Sequence, residues 1–318
     1  MQVVMCEAYG PPESLVVKSV PSPTPGAGEV KVRLRARGVS FADVLRIAGT
    51  YHVKTAPPFI PGNEASGEII AIGAGVTGFA SGDRVLCGGG YAEETVQPAA
   101  SVIKLPATVG FEAAASFRSN YMTAYYALQR GRLKAGETLL VHGAAGGVGL
   151  ATVDMGKLMG AKVIATARSP ERLEVCKKLG ADHVIDYSKG FREQVLALTG
   201  GRGADVIFDP VGGDVFDESM RAVAPFGRIL IVGFTSGRPG IAKTNHLLVK
   251  DAEVIGFTIG ALAKLAPERN RANLETLVDW LGAGRIHPYH SHALPLAKAA
   301  DALKLVVDRQ VIGKALLV

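Results

Sequence analysis

Leu139-Leu140-Val141-His142-Gly143-Ala144-Ala145-Gly146-Gly147-Val148-Gly149 is the stretch on which the fold turns. Thr138–His142 reads as a short apolar strand that runs into glycines, and a helical pattern continues to Met159. Ala144, Gly146 and Gly149 occupy the three slots of a G-x-G-x-x-G pattern, with Ala in the first. Gly146 lets backbone approach a diphosphate closely, and Gly149 lets the helix pack tightly on the strand. The helix start, from Gly147 and Val148, offers N–H groups and a partial positive charge to the phosphates. A glycine pattern alone is weak evidence; between an apolar strand and a helix it points to a bound dinucleotide.

Downstream of the loop, strand and helix alternate. Strands are expected at Lys162–Ala167, Asp182–Asp186, Asp205–Phe208, Arg228–Gly233 and Glu253–Phe257, with helices between them at Pro170–Leu179 and Phe191–Leu198. That alternation predicts α/β architecture, a doubly wound parallel Rossmann sheet with helices on both faces. The strand after the loop ends Ile164-Ala165-Thr166-Ala167-Arg168-Ser169 and carries no acid there. A site for NAD usually has Asp or Glu at that end to accept from the ribose 2′-OH. Arg168, Ser169 and Arg172 instead suit a 2′-phosphate through charge-assisted hydrogen bonds, so NADPH is the expected cofactor.

Upstream, the chain reads as β-rich. Glu29–Ala36 (EVKVRLRA) alternates polar and apolar residues as a half-buried strand does, and Pro21, Pro23, Pro25 and Gly26 precede it as turn material. From Glu112 to Arg130 the pattern is helical, ended by Gly136. Past Ala261 it is helical again at Asn270–Leu281 and Leu296–Asp308. A closing apolar strand, Lys314–Val318, needs a sheet, and the β-rich part is the expected host. The expected division is a β-rich domain from 1–120, a dinucleotide-binding domain from 121–260, and a return segment, 261–318, that completes the first.

A chain of 318 residues fits two domains at roughly 100–200 residues each. Its 48% hydrophobic and 20% charged content is that of a folded globular protein, able to bury a core without disulfides or metal. Cys6, Cys87 and Cys176 are odd in number, far apart and form no CxxC pair, which argues against a disulfide framework and for a reducing compartment, the cytoplasm. The N-terminus shows no signal-peptide pattern, and no apolar run reaches the roughly 18–20 residues a membrane span needs. The formal net charge is +6, but the cations are dispersed and form no block that reads as a nucleic-acid surface.

Several further segments match a known pattern: GVSFADVLRIAGTY (38–51), PFIPGNEASGEI (58–69), GDRV (82–85), YMTAYYAL (121–128), GADHVIDY (180–187), DPVGGDVF (209–216) and GRILIVGF (227–234). With the glycine loop they make the chain resemble, nearly end to end, the zinc-free quinone oxidoreductase (zeta-crystallin-like) branch of the medium-chain dehydrogenase/reductase family. The resemblance implies a β-rich GroES-like catalytic domain built from both chain ends, a central Rossmann domain, and a homodimer, for which Glu253–Phe257 is a plausible edge strand. Zinc-dependent members hold catalytic zinc through two Cys and a His or acid. In this chain those slots carry Ser40, Asn63 and Ser119, and the lobe of four Cys is missing. Zinc needs thiolate or imidazole ligands, so no metal is expected, and Glu64 reads as structural. His287, His290 and His292 are the one His cluster, and beside Pro288 and Pro295 they read as a surface strand or loop.

Without a Lewis acid the acceptor must already be electrophilic, as quinones and α,β-unsaturated carbonyls are. Negative charge building on the carbonyl oxygen needs hydrogen-bond donors and then a proton. The resemblance makes Tyr51 the candidate donor, with Ser40 a weaker one where the branch often has Asn. Leu45 stands where some quinone reductases carry a second Tyr, which implies an apolar, wider pocket. For the cofactor it implies Thr123 at a helix start near the nicotinamide, Tyr187 with Arg172 at the 2′-phosphate end, and Val211 and Gly212 beside the nicotinamide ribose. Gly233 and Phe234 come next, at a strand's carboxyl end, and Asn245 and Arg309 are further contacts. Two other readings stay open: an enoyl-thioester or alkenal reductase on the same fold, and a non-catalytic crystallin-like or RNA-binding protein, against which stands the lack of an RNP motif.

Overall fold

The computed structural model describes residues 1–51 and 53–318. They divide into two compact units, Met1–Arg118 with Leu281–Ala283 and Pro288–Val318, and Ser119–Trp280 with Gly284–His287. The strands in chain order are β1 Gln2–Met5, β2 Val16–Ser19, β3 Glu29–Val39, β4 Ala65–Ile72, β5 Arg84–Cys87, β6 Glu94–Pro98, β7 Ile103–Lys104, β8 Thr138–Val141, β9 Lys162–Ala167, β10 His183–Asp186, β11 Ala204–Asp209, β12 Val223–Ile231, β13 Glu253–Gly256, β14 His290–Leu294 and β15 Lys314–Leu317.

The first unit is the expected β-rich domain. Its larger sheet runs β14-β15-β3-β4-β5-β7, and β6 also pairs with β3. The alternation read in Glu29–Ala36 is the pleat of β3: Val30, Val32 and Leu34 are buried against Ile69, Val85 and Val102. The strand runs three residues further than expected, to Val39. Arg37 breaks the alternation because it is buried, and the carbonyls of Ala92 (2.8 Å) and Leu34 (3.0 Å) satisfy its guanidinium. The tail strand β15 lies antiparallel to β3, with Ala315 opposite Val39, and parallel to β14.

The second unit holds a six-stranded sheet in the order β10-β9-β8-β11-β12-β13, every pairing parallel. Leu140, Ile164, Ile207 and Ile229 from its strands share one core with Phe216 and Met220 from a helix and with Phe191, the N-cap residue of another. Strands buried on both faces read as continuous apolar runs, which is how the sequence shows them. β13 stands at the sheet's edge.

Three expectations need correction. The return segment does not begin at 261: residues to Trp280 group with the second unit. The reason is the helix Pro267–Gly282, which packs on the helix Arg118–Arg130 through an edge-to-face contact of Trp280 on Tyr125 (5.4 Å) and a hydrogen bond from Gln129 to Asn273 (3.2 Å). The stretch 112–130 is two helices, Phe111–Ala115 and Arg118–Arg130. At the break Ser116 Oγ donates to the carbonyls of Glu112 and Ala113, both at 3.0 Å, closing the first helix. Leu296–Asp308 divides likewise into a 3₁₀ turn, Leu296–Lys298, and a helix, Ala299–Val307. All three cysteines are buried and free. Among the described residues no helix is long and apolar enough to cross a membrane.

Candidate functional site

The glycine loop joins β8 to the helix Gly147–Leu158. Gly149 lies so close to the loop that a Cβ there would sit 2.3 Å from the Gly143 carbonyl oxygen and 2.7 Å from Ala144 Cα, so no larger residue fits without moving backbone. Ala144 is buried, its N–H on the Thr166 carbonyl at 3.0 Å, which ties the loop to β9. Over Gly146 a Cβ would meet one atom, the Gly143 carbonyl oxygen, at a tight 3.3 Å. Gly146 is the N-cap residue, and no side chain caps this helix. Its first-turn N–H groups therefore carry no side-chain cap, as an anionic diphosphate requires. Asn120, which the sequence pattern does not single out, lies against Gly147, where its Nδ2 would be 2.6 Å from a Cβ.

At the end of β9 the Arg168 guanidinium lies over the Tyr187 ring, 5.0 Å from its centroid. Ser169 Oγ accepts the Arg172 N–H at 3.4 Å and caps the helix Pro170–Lys178, which leaves its hydroxyl proton available. Asp186, at the end of β10, is likewise not marked by the sequence pattern. Its carboxyl is held below its ordinary value chiefly by hydrogen bonds from Ser188, with Lys189 and Arg168 adding favourable charge. It is spent on that turn, its Oδ1 accepting the Ser188 N–H at 3.0 Å.

The loop after β11 is set by Asp209, whose Oδ1 accepts the N–H groups of Val211 (2.8 Å) and Gly212 (3.0 Å). Burial pushes this carboxyl up, and its Oδ2 is buried without a hydrogen-bond partner. Gly212 has φ +69, and a Cβ there would lie 2.7 Å from the Arg238 carbonyl oxygen and 3.1 Å from the Phe234 ring. Val211, Gly212, Gly233 and Phe234 are thus gathered at the carboxyl ends of β11 and β12, where open α/β sheets bind ligands. Phe234 is exposed, and Asn245 is an exposed residue of the helix Thr244–Lys250.

Thr123 is not at a helix start. It sits inside Arg118–Arg130 and donates to the Ser119 carbonyl at 2.7 Å, four residues back. Arg309 belongs to the first unit, exposed and at φ +56, just past the helix Ala299–Val307.

Tyr51 and Ser40 flank the short helix Phe41–Ile47 of the first unit. Ser40 is its N-cap residue, and both its N–H (2.9 Å) and its hydroxyl (2.8 Å) donate to Asp43 Oδ2. That corrects the expectation of Ser40 as a donor to an acceptor molecule, because its proton is committed to Asp43. Tyr91, fully buried, donates to the same oxygen at 3.0 Å. Burial pushes the Asp43 carboxyl up, against the lowering influence of these bonds and of Lys314. Behind them Lys314 of β15 pairs with Glu64, both side chains 4% exposed. Tyr51 is half-buried, with its N–H on the Leu45 carbonyl at 3.1 Å. Arg46, absent from the sequence-derived site, lies over the Tyr51 ring at 5.1 Å and donates to Asn63 Oδ1 at 2.9 Å.

The three histidines of the tail separate. His287 sits on Asp154 (3.1 Å), His290 near Glu112 (3.3 Å), and His292 against Ser291 (2.7 Å). Among the described residues no three His, Cys, Asp or Glu side chains gather as a metal site.

Two family profiles match the chain: the alcohol dehydrogenase GroES-like domain over residues 26–107 and the zinc-binding dehydrogenase over 147–281. Quinone oxidoreductase-like protein 2 homolog of Nematostella vectensis is 38% identical, over 98% of this chain and 87% of its own. A 2-haloacrylate reductase of a Burkholderia species is 35% identical, over 97% of this chain and 96% of its own. The quinone oxidoreductase of Escherichia coli, solved in complex with NADPH, superposes with a TM-score of 0.89 at 28% identity, covering 100% of each chain. The chain belongs to the medium-chain dehydrogenase/reductase family, in its quinone oxidoreductase branch.

Proposed function

We propose that this protein is an NADPH-dependent, zinc-independent reductase that transfers hydride to quinones or other conjugated carbonyls. The observation that carries the reading is the pairing of a glycine loop at an uncapped helix start with Arg168, rather than an acid, at the end of the next strand. A neighbour on the same fold, solved with NADPH, supports the choice of cofactor.

The residues present fit the group. The first-turn N–H groups of Gly147, Val148 and Gly149 would hold the diphosphate. Arg168, stacked on Tyr187, would hold the 2′-phosphate with Ser169 and Arg172. Val211, Gly212, Gly233, Phe234, Thr123, Asn245 and Arg309 are the proposed remaining contacts. Bound there, NADPH supplies the hydride. The chain then stabilises an oxyanion and delivers a proton, and Tyr51 is the proposed donor. Zinc independence rests on donor chemistry: a serine at two of the ligand slots and an asparagine at the third bind zinc poorly.

A second reading, reduction of a conjugated alkene, is favoured by the 2-haloacrylate reductase relative. We further propose a cytoplasmic homodimer in which the β13 edge meets a second copy, since an exposed edge strand invites pairing. Purified protein given NADPH or NADH with a benzoquinone, a small enone and crotonyl-CoA tests the proposal. NADPH oxidation with the quinone or enone, insensitive to chelators, is expected; failure to bind either nucleotide sinks it.

A further inference from the structure

Away from the glycine loop, the second unit carries a cleft of about 510 Å³. It lies between the helix Arg192–Leu198, the second half of the helix Gly213–Ala222 and the start of the helix Thr244–Lys250. Pockets of roughly 300–1,000 Å³ hold small organic ligands. The connections β8–β9–β10 and β10–β11–β12 run in opposite directions across the sheet. Right-handed crossovers therefore put the helix Gly147–Leu158 on one face and both Arg192–Leu198 and Gly213–Ala222 on the other. The cleft thus lies on the face opposite the helix whose start would hold the diphosphate.

Its charged groups do not cancel. Arg192 is set against Glu193 at 3.3 Å. Asp217 takes Arg238 at 2.9 Å and the Ile241 N–H at 3.2 Å. Glu218 accepts the N–H groups of Phe191 (3.2 Å) and Arg192 (2.9 Å), which closes the start of the helix Arg192–Leu198. Lys189, Arg221 and Lys243 also line the cleft, and among the described residues their side chains make no hydrogen bond or ion pair. Lys243 acts on Asp217, and Lys189 on Asp186, as longer-range charge. Three unpaired cations thus face one carboxylate that has no cation of its own, Glu218, which leaves a surplus of two positive charges. Ile241, exposed at the rim, adds apolar wall with Phe191 and Met220.

We propose that this cleft binds a phosphate monoester with an aromatic body, as a second ligand beside the dinucleotide. Such a monoester carries a charge of about −1.5 to −2 near pH 7, which matches the surplus. Arg221 offers a planar fork to two of its oxygens, and Lys189 and Lys243 act as point charges. The ring lies along Ile241. The proposal concerns binding alone and stands apart from the reductase reading. Lys189 follows Tyr187 by two residues, so separation from the adenosine end has to be measured.

The test is calorimetric titration of the full chain with phenyl phosphate, with and without saturating NADPH. One site per chain is expected under both conditions, and inorganic phosphate, which lacks the ring, should bind about 10-fold more weakly. Arg221→Gln and Lys243→Gln should each weaken phenyl phosphate by about 10-fold or more, the worth of one charge-assisted hydrogen bond. Both side chains are exposed, so the melting temperature and NADPH affinity should stay as they are. Lys162→Gln, which removes an exposed lysine of β9 outside the cleft, should leave phenyl phosphate binding alone. No binding up to about 10 mM, an equal loss in Lys162→Gln, or displacement by NADPH overturns the assignment. Equal affinity for inorganic phosphate overturns the aromatic monoester. If the protein takes up no NADPH, the reductase reading falls, and the titration without nucleotide still decides the cleft.

Discussion

Replacing Lys314 by methionine removes the cation paired with a buried carboxylate. Glu64 and Lys314 touch in the interior of the β-rich unit, each side chain only 4% exposed. The space around Glu64 is tight, since a Cβ on Gly38 would come within 2.7 Å of both its Cγ and its Oε1. The carboxylate has little room to turn toward water. Removing one partner of a buried pair costs about 3–5 kcal/mol, because the other charge stays desolvated. For a unit of roughly 150 residues, 1 kcal/mol moves Tm by about 2–4 °C, so Lys314→Met should lower the melting of this unit by about 6–20 °C. The loss is compounded by Asp43, which also feels the Lys314 charge. The double variant Glu64→Gln/Lys314→Met removes both charges and should recover at least half of the loss, whereas independent sites would add. Urea unfolding of the unmodified protein, both single variants and the double variant measures this. A single-variant loss under about 1 kcal/mol, within the range of an exposed pair, or strictly additive losses would refute the reasoning.

The remaining predictions concern the second unit and the proton donor. His142 is buried between Thr166 and Ser219, and burial lowers its pKa to about 3, so it is neutral in the fold. Its unfolded value, 6.5, is higher, so the unfolded chain binds the proton first and stability is lost as pH falls from 6.5 toward 3. His142→Gln should flatten that decline by up to about 1.4 kcal/mol per pH unit, measured by denaturation at pH 7, 6 and 5; an unchanged slope removes His142 as the cause. Arg168→Asp should weaken NADPH binding by roughly 10- to 150-fold, the worth of a charge-assisted hydrogen bond, and leave NADH binding nearly alone; equal loss for both would remove Arg168 from the 2′-phosphate site. Gly149→Ala forces a Cβ against backbone at 2.3 Å and should cost about 1–3 kcal/mol, with weaker NADPH binding; an unmoved Tm would show that the loop gives way. Tyr51→Phe should lower kcat for the enone more than KM changes, and an unaltered rate would exclude it as the proton donor.

Local patterns carried the architecture. The apolar strand, glycines and helix of 138–159 and the alternation in Glu29–Ala36 are short-range signals, and backbone geometry reads them directly. The identity of the sheet that receives Lys314–Leu317 was also legible, because a terminal strand has few hosts. Thr123 was misplaced because helix boundaries depend on where carbonyls find donors, and Ser116 closes one helix five residues after it starts.

The amino-acid sequence alone determined the two kinds of sheet, the glycine loop and the absence of an acid after β9. Each depends on residue type and spacing within a dozen positions. Only the tertiary structure decided how polar groups share their partners. It bonds Ser40 to Asp43, closes Lys314 onto Glu64 across about 250 positions of chain, assigns residues 267–280 to the nucleotide-type unit, and leaves Asp209 Oδ2 buried without a hydrogen-bond partner. Such pairings are settled by burial: once water is excluded, each charge must take whichever neighbour folding brings within reach, and no local pattern encodes that neighbour.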